Sequence, residues 1–147
     1  MVNPDAQGAT GTPFPLDVER GKCFEFARAV LSDDPAHLSG EVSHPTFLST
    51  TLHWEKHVEG ANPWALVEMS EELGMHAEQE FVFHGPPPAA GDQLTAQARI
   101  DAIWEKQSRS GHRLIFVKMI TEFRDADGTL RAESILTGVE RHPPEGA

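Results

Sequence analysis

The residues of this sequence best suited to proton-transfer chemistry lie in a polar segment, in which His37 follows Asp33 and Asp34. A histidine titrates near neutral pH and a carboxyl group can exchange protons with a substrate beside it, so these residue types suit a general acid–base site. The alternative is structural: the two aspartates and Pro35 end a helix in a turn, and His37 is a solvated loop histidine. The residues alone leave both interpretations open.

A second candidate is the pair His53 and His57, which are four residues apart and share one face of a predicted helix. Zinc-binding histidines use this spacing. However, Glu55 lies two residues after His53 and would point away from the position of a metalloprotease base. We therefore predict no metal site, and we expect Glu55 to extend into solvent from the edge of the helix.

The composition sets the class of protein in which these residues act. The chain has 147 residues, and 23 acidic against 12 basic side chains give a net charge of −11. An acidic protein of this kind is not expected to bind nucleic acid or an anionic membrane, because both attract positive charge. One cysteine, Cys23, excludes an internal disulfide. The sequence predicts one folded domain over residues 14–140, flexible tails at 1–13 and 141–147, and a cytoplasmic location.

Apolar spacing predicts two helices before the strands. A first helix is expected to open at Asp17 and to end before Pro35. Its single apolar face is expected to consist of Cys23, Phe24, Ala27, Val30 and Leu31. A second helix is expected from Pro45 to about Val58, with much of its surface buried. Its most buried residues are predicted to be Phe47, Leu48 and Leu52.

The rest of the chain has the pattern of strands. Residues 94–102 alternate strictly between apolar and polar, and residues 114–123 are apolar on both faces, as in a central strand. Asp125–Gly128 is a turn signal. The predicted strands are Trp64–Met69, the segment around Phe81 and Phe83, Leu94–Ala102, Leu114–Phe123 and Leu130–Val139. Two helices followed by an antiparallel meander predict an α+β architecture with one buried helix.

This order of elements, together with four local strings, resembles a known family. The sequence is similar to the MaoC-type hydratases and dehydratases of acyl thioesters, which have the hot-dog fold, and most of all to their amino-terminal or accessory dehydratase subunits. The resemblance implies an antiparallel sheet wrapped around a central helix. The strings are Val18–Lys22 with Phe26–Ala29 and Asp33–His37; Pro45–Phe47; His76–Phe81 with Phe83–Pro86 and Gly91–Asp92; and Thr121–Phe123 with Asp127–Gly128.

The resemblance also implies site residues. His37 occupies the position of the family's catalytic histidine, with Asp33 and Asp34 as neighbouring candidates for proton transfer. The position of the family's catalytic aspartate falls on Ser32, whose hydroxyl group cannot act as an acid near neutral pH. The amides of Thr46 and Phe47, where the central helix begins, are expected to bind the thioester carbonyl and stabilise its developing negative charge.

Three functions follow from this resemblance. The chain is a (3R)-hydroxyacyl-thioester dehydratase or the reverse enoyl hydratase, or a non-catalytic subunit that binds the acyl chain beside a catalytic partner, or a hot-dog thioesterase that uses a helix carboxylate such as Glu55. Ser32 at the acid position favours the subunit over the enzyme. The expected ligand is an acyl thioester of coenzyme A or of acyl carrier protein. No cofactor is expected, and the expected partner is a second hot-dog subunit, in a homodimer or a heterodimer.

Overall fold

The computed structural model describes residues 1–144, and its main element is one antiparallel sheet of five strands. The strands are β1 (Phe14–Asp17), β2 (Gly74–Phe83), β3 (Gln93–Gln107), β4 (Arg113–Arg124) and β5 (Leu130–His142). Their order across the sheet is β1-β3-β4-β5-β2, so β1 and β2 are the two edges. The α-helices are α1 (Arg20–Ala29), α2 (Pro35–Ser39) and α3 (Thr51–Glu55), and short 3₁₀ helices cover Pro4–Ala6, Phe47–Thr50 and Pro63–Val67.

The three long strands confirm the predicted meander. On β3 the apolar residues of the alternating pattern are buried from Leu94 to Ile100 and the polar residues are exposed from Gln93 to Gln97, as a strand with one face toward a core requires. A bulge between Ile100 and Ala102 ends this alternation, and Ala102 is only half-buried. The β4–β5 turn is built by Asp125, whose carboxylate accepts the amides of Asp127 and Thr129 at 3.1 and 2.9 Å. Gly128 supplies the positive φ of 80° that this turn needs.

The segment after Pro45 packs its apolar side chains against the sheet, as predicted. Phe47 and Leu48 are 2% and 1% exposed and share a core with Leu16 and Phe123. The segment is not one long helix, however, because Phe47–Thr50 is a 3₁₀ helix and α3 ends at Glu55. Hydroxyl groups in this stretch bond back to carbonyls of the preceding turn, which is the competition that makes serine and threonine poor helix formers.

The predicted burial of Leu52 is wrong, since its side chain is 47% exposed. The buried face of α3 instead carries Thr51 and Glu55, four residues apart. Leu52 lies beside this face, at the rim of a cavity between α3 and the sheet. The buried face of the short helix is therefore partly polar, which the apolar pattern did not indicate.

Two other predicted elements differ from the structure. Asp17 ends β1 instead of opening a helix, because Phe14 and Leu16 alternate into the core and pair with β3. The helix begins three residues later, at Arg20, and ends at Ala29. Of its predicted apolar face only Cys23 and Ala27 are buried, while Phe24, Val30 and Leu31 are exposed. The strand predicted over residues 64–69 is a 3₁₀ helix, Pro63–Val67, whose start is capped by the side chain of Asn62. An asparagine followed by a proline is a helix-start signal that outweighed the apolar run.

The ends of the chain are more ordered than predicted. Val2 and Ala6 are buried in a core cluster that also contains Val117. The amides of Gly8 and Gly11 donate to the carbonyls of Ile100 and Ala98. The expected tail over residues 1–13 therefore packs along β3, because it carries apolar side chains and free backbone groups that the strand can satisfy. β5 extends to His142, two residues into the other predicted tail, and residues 145–147 of that tail lie outside the described residues.

Candidate functional site

The loop between α1 and α2 places Ser32 beside His37. After α1, Leu31 adopts a left-handed backbone conformation with a φ of 58°, and the amide of Ser32 donates to the carbonyl of Ala27 at 2.8 Å. The Oγ of Ser32 then lies 2.9 Å from Nδ1 of the half-buried His37. The imidazole is therefore held by a hydroxyl group at the place where an acid–base pair would have a carboxyl.

The neighbouring aspartates lie on the outside of this loop. Asp34 is the N-cap of α2, and its Oδ1 accepts the amide hydrogen of Ala36 at 2.9 Å. Both Asp33 and Asp34 are exposed. The structure thus gives Asp34 a capping role, and proton transfer by either aspartate stays a prediction.

A second histidine, His44, faces His37. The two rings meet edge to face with their centroids 5.1 Å apart, and Phe26 packs on the other side of His44 at 5.9 Å. Burial, and then the nearby His37, lowers the pKa of His44 from its usual value of 6.5. Both causes favour the neutral form of the His44 imidazole.

His44 also hydrogen-bonds the backbone amides where the central helical segment begins, just after Pro45. Its Nδ1 accepts the amide hydrogen of Thr46 at 3.2 Å, and its carbonyl accepts the amide hydrogen of Phe47 at 2.8 Å. These are the two amides predicted to bind a thioester carbonyl. Both have partners in this structure, so an incoming oxygen would replace His44 at one or both of them.

Glu55 is buried, contrary to the prediction that it extends into solvent. Its side chain faces the sheet from α3, is 6% exposed, and accepts a hydrogen bond from Nδ2 of Asn62 at 2.9 Å. Burial raises the pKa of Glu55, with the Asn62 hydrogen bond and Lys56 acting in the opposite direction. A carboxyl group with a raised pKa inside a fold is the kind of group found at functional sites.

Two adjoining cavities lie between α3 and the sheet. The larger, of about 380 Å³, is lined mainly by apolar side chains, among them Trp64, Met69 and Met119. A cavity of this size suits a small ligand or an acyl chain. The smaller, of about 30 Å³, lies against Glu55 and shares Leu52, Met119 and Leu136 with the larger one.

His53 lies in α3, and His57 follows the end of that helix. His53 and His57 are exposed, and within residues 1–144 no group of three or more His, Cys, Asp or Glu side chains is placed to hold a metal ion. The same part of the chain contains no helix that is long and apolar enough to cross a membrane.

His37 was expected in a loop and lies in the short helix α2, and two other features of the site were not predicted. The sequence did not predict the hydrogen bond between Glu55 and Asn62, because the two residues are seven positions apart and an irregular turn lies between them. His44 had a weak signal as the residue before Pro45, where an extended backbone is favoured and a side chain can fold onto the following amides.

Comparison with known proteins places these features in a family. The family model for the FAS1-like dehydratase domain region matches residues 6–133. One similar structure is the HadBC complex, a 3R-hydroxyacyl-ACP dehydratase from Mycobacterium tuberculosis: the identity is 28%, the match covers 92% of this chain and 97% of the other, and the TM-score is 0.68. No curated protein sequence is significantly similar to this chain.

Two more distant structures agree in fold. A MaoC-like dehydratase from Rhodospirillum rubrum is 17% identical, with 98% of this chain and 99% of the other covered and a TM-score of 0.61. The ChsH1–ChsH2 complex from Mycobacterium tuberculosis is 13% identical, with 92% and 98% covered and a TM-score of 0.57. These matches confirm the predicted hot-dog fold, an antiparallel sheet around a central helical segment.

Proposed function

The chain belongs to the family of FAS1-like dehydratase domain regions, with the MaoC-type hot-dog fold, and from this premise we propose that it is the accessory subunit of an acyl-thioester hydratase or dehydratase. In this role it binds the acyl chain, and a second hot-dog subunit supplies the carboxylic acid that the reaction needs. The thioester is carried by coenzyme A or by acyl carrier protein.

The contact between Ser32 and His37 carries this proposal. Hydration of an enoyl thioester adds a hydroxyl group at one carbon and a proton at the next, so it needs an acid and a base on one face of the substrate. In this loop the imidazole of His37 is 2.9 Å from a hydroxyl group, while the side chain of Asp34 caps α2. One member of an acid–base pair, the imidazole, is present, and the other member, a carboxyl group, is missing.

The start of the central segment supports the same role. A catalytic subunit needs amides free to hold the charge that develops on the thioester oxygen. The amides of Thr46 and Phe47 are instead bonded to His44. We therefore propose that Thr46 and Phe47 contact the thioester only after His44 moves, and that the cavity beside Trp64 holds the acyl chain.

The exposed edge of the sheet is where we propose that the second subunit binds. β2 is an edge strand of ten residues, and residues 75–80 are exposed along it. A long unpaired edge strand is a template for pairing with another chain. HadBC and ChsH1–ChsH2 are both complexes of two different proteins, which favours a heterodimer over a homodimer.

The proposal is tested by restoring the missing acid. Hydration of trans-2-enoyl thioesters is followed by the loss of enoyl absorbance for the wild type, Ser32→Asp and His37→Ala. The wild type alone is expected to be weakly active or inactive, since an acid–base pair typically contributes about 10²–10⁴-fold. Ser32→Asp is expected to raise the rate, and the added His37→Ala change to abolish the gain.

Ser39→Asp is the matched control, because it adds the same charge to an exposed position of α2 away from His37. It is expected to leave the rate unchanged. Robust turnover by the wild type that survives His37→Ala would contradict both the accessory role and the position of the site.

A further inference from the structure

The small cavity beside Glu55 has a polar lining, which is unusual at the end of an apolar pocket. Its polar lining comes from both the helical segment and the sheet, and includes Thr51, Glu55, Gln79, Thr121 and Ser134. Its volume of about 30 Å³ is enough for one water molecule or one hydroxyl group. A pocket that served only an unbranched hydrocarbon chain would gain nothing from a buried carboxyl at this position, because burying that group costs free energy.

Some of these polar groups still lack partners. Asn62 donates to Oε1 of Glu55, and Gln79 donates to Oγ of Ser134 at 2.9 Å. Within residues 1–144, no hydrogen bond reaches Oε2 of Glu55 or the hydroxyl group of Thr121, although both side chains are buried at 6% and 7% exposure. Neither atom is sealed from solvent, unlike the unpartnered Oγ of Ser43 and Oγ1 of Thr50, so both are open to a polar ligand or water.

The small cavity adjoins the larger apolar one through shared walls. Leu52, Met119 and Leu136 line both, and Asn62, which holds Glu55, also lines the larger cavity. A chain that lies in the larger cavity and continues inward therefore ends at the carboxyl of Glu55. Burial raises the pKa of Glu55 and so favours the protonated carboxyl, which both donates and accepts hydrogen bonds.

We propose that the pocket is specific for acyl chains that carry a hydroxyl group away from the thioester, and that Glu55 and Thr121 bind this hydroxyl. The inference rests on the proposed acyl-binding function and narrows its substrate class. A plain alkyl chain of the same length would displace water from the small cavity without replacing its hydrogen bonds, and would bind more weakly.

The test uses equilibrium binding, so it does not depend on turnover. Trans-2-enoyl pantetheine thioesters in a chain-length series, and the same compounds with a terminal hydroxyl group, are titrated into the full chain by calorimetry. At the length that fills the larger cavity, the hydroxylated compound is expected to bind about tenfold more tightly, which is the effect of one hydrogen bond to such a group.

Variants assign the effect to residues. Glu55→Leu is expected to abolish the preference, and Thr121→Val to reduce it. Glu55→Gln is expected to retain most of it, because the amide still donates and accepts hydrogen bonds. Thr137→Val is the matched control: Thr137 is as buried as Thr121, at 6% exposure, but lies outside both cavities.

The outcomes separate this inference from the function on which it rests. Equal binding of both compounds at every length overturns the inference and leaves the acyl-binding function standing. A preference that survives Glu55→Leu overturns the assignment to Glu55. If neither compound binds at any length, the proposed acyl-binding function fails, and the inference fails with it.

Discussion

Gly138 gives a direct test of how the larger cavity is built. This glycine lies on β5, and a β-carbon at its position would be 2.8 Å from Cη2 of Trp64 and 3.3 Å from Cε of Met69. Both side chains line the cavity. Gly138→Ala therefore forces the indole of Trp64 away from the sheet and toward the space that we assign to the acyl chain.

The magnitude follows from two opposing effects. Overpacking of a well-packed interior typically costs about 1–3 kcal/mol. Replacing glycine with alanine within a strand raises the free energy of unfolding by about 0.5–1 kcal/mol, because the chain then loses less conformational freedom on folding. Gly138→Ala is thus expected to lower the free energy of unfolding by up to about 2.5 kcal/mol, with a central value of about 1 kcal/mol, and to weaken the binding of enoyl thioesters.

Urea denaturation followed by circular dichroism measures the first effect, and calorimetric titration the second. Gly21→Ala on α1 is the control, because a β-carbon there meets nothing within 4 Å. That change is expected to stabilise the protein by about 0.5–1 kcal/mol and to leave binding unchanged. If Gly138→Ala is as stable as the wild type and binds equally well, Trp64 does not form this cavity wall.

Three further predictions concern the core and the titrating groups. Leu48→Ala, at a position 1% exposed, is expected to cost about 2–5 kcal/mol in urea denaturation. The pKa of Glu55 is raised in the folded state, so above about pH 4.5 the folded protein keeps a proton that the unfolded chain loses. The contribution of Glu55 to stability therefore falls as the pH rises from about 4.5 through the folded-state pKa. Glu55→Gln is expected to remove that fall and to be more stable than the wild type at neutral pH, as measured by urea denaturation across pH. Finally, the imidazole protons of His44 are expected to titrate below pH 6.5 in NMR spectra, and to move toward that value in His37→Ala.

The long strands were predictable because each carries its own evidence. Residues 94–102 alternate with a period of two, and Asp125–Gly128 fixes where β4 turns into β5. The short elements were not, because their form depends on contacts made elsewhere. Asp17 has the residue type of a helix cap, but pairing of Leu16 with Leu94 keeps this segment extended. Tertiary contacts override local preference most easily where an element is short.

The residues of the candidate site also differ in how much of their role the sequence alone could predict. That Ser32 carries no carboxyl group is a matter of residue identity, and the sequence is sufficient for it. The 2.9 Å contact between Ser32 and Nδ1 of His37 depends on how the chain turns from α1 into α2. The two cavities and the burial of Glu55 depend on β4 and β5, whose lining residues Met119 and Leu136 lie more than sixty residues after Glu55 along the chain. A charged residue on a short helix is normally exposed, so only the tertiary structure identified this one as buried.

We propose that this chain binds an acyl thioester but lacks the acid needed to hydrate it. The most direct test measures both on one sample: a trans-2-enoyl thioester is titrated into the purified wild type by calorimetry, and the recovered thioester is analysed for the 3-hydroxy product. We expect saturable binding with little or no product, and product formation once Ser32→Asp restores a carboxyl beside His37. Efficient formation of the 3-hydroxyacyl product by the wild type alone, or no binding at all, would contradict the claim.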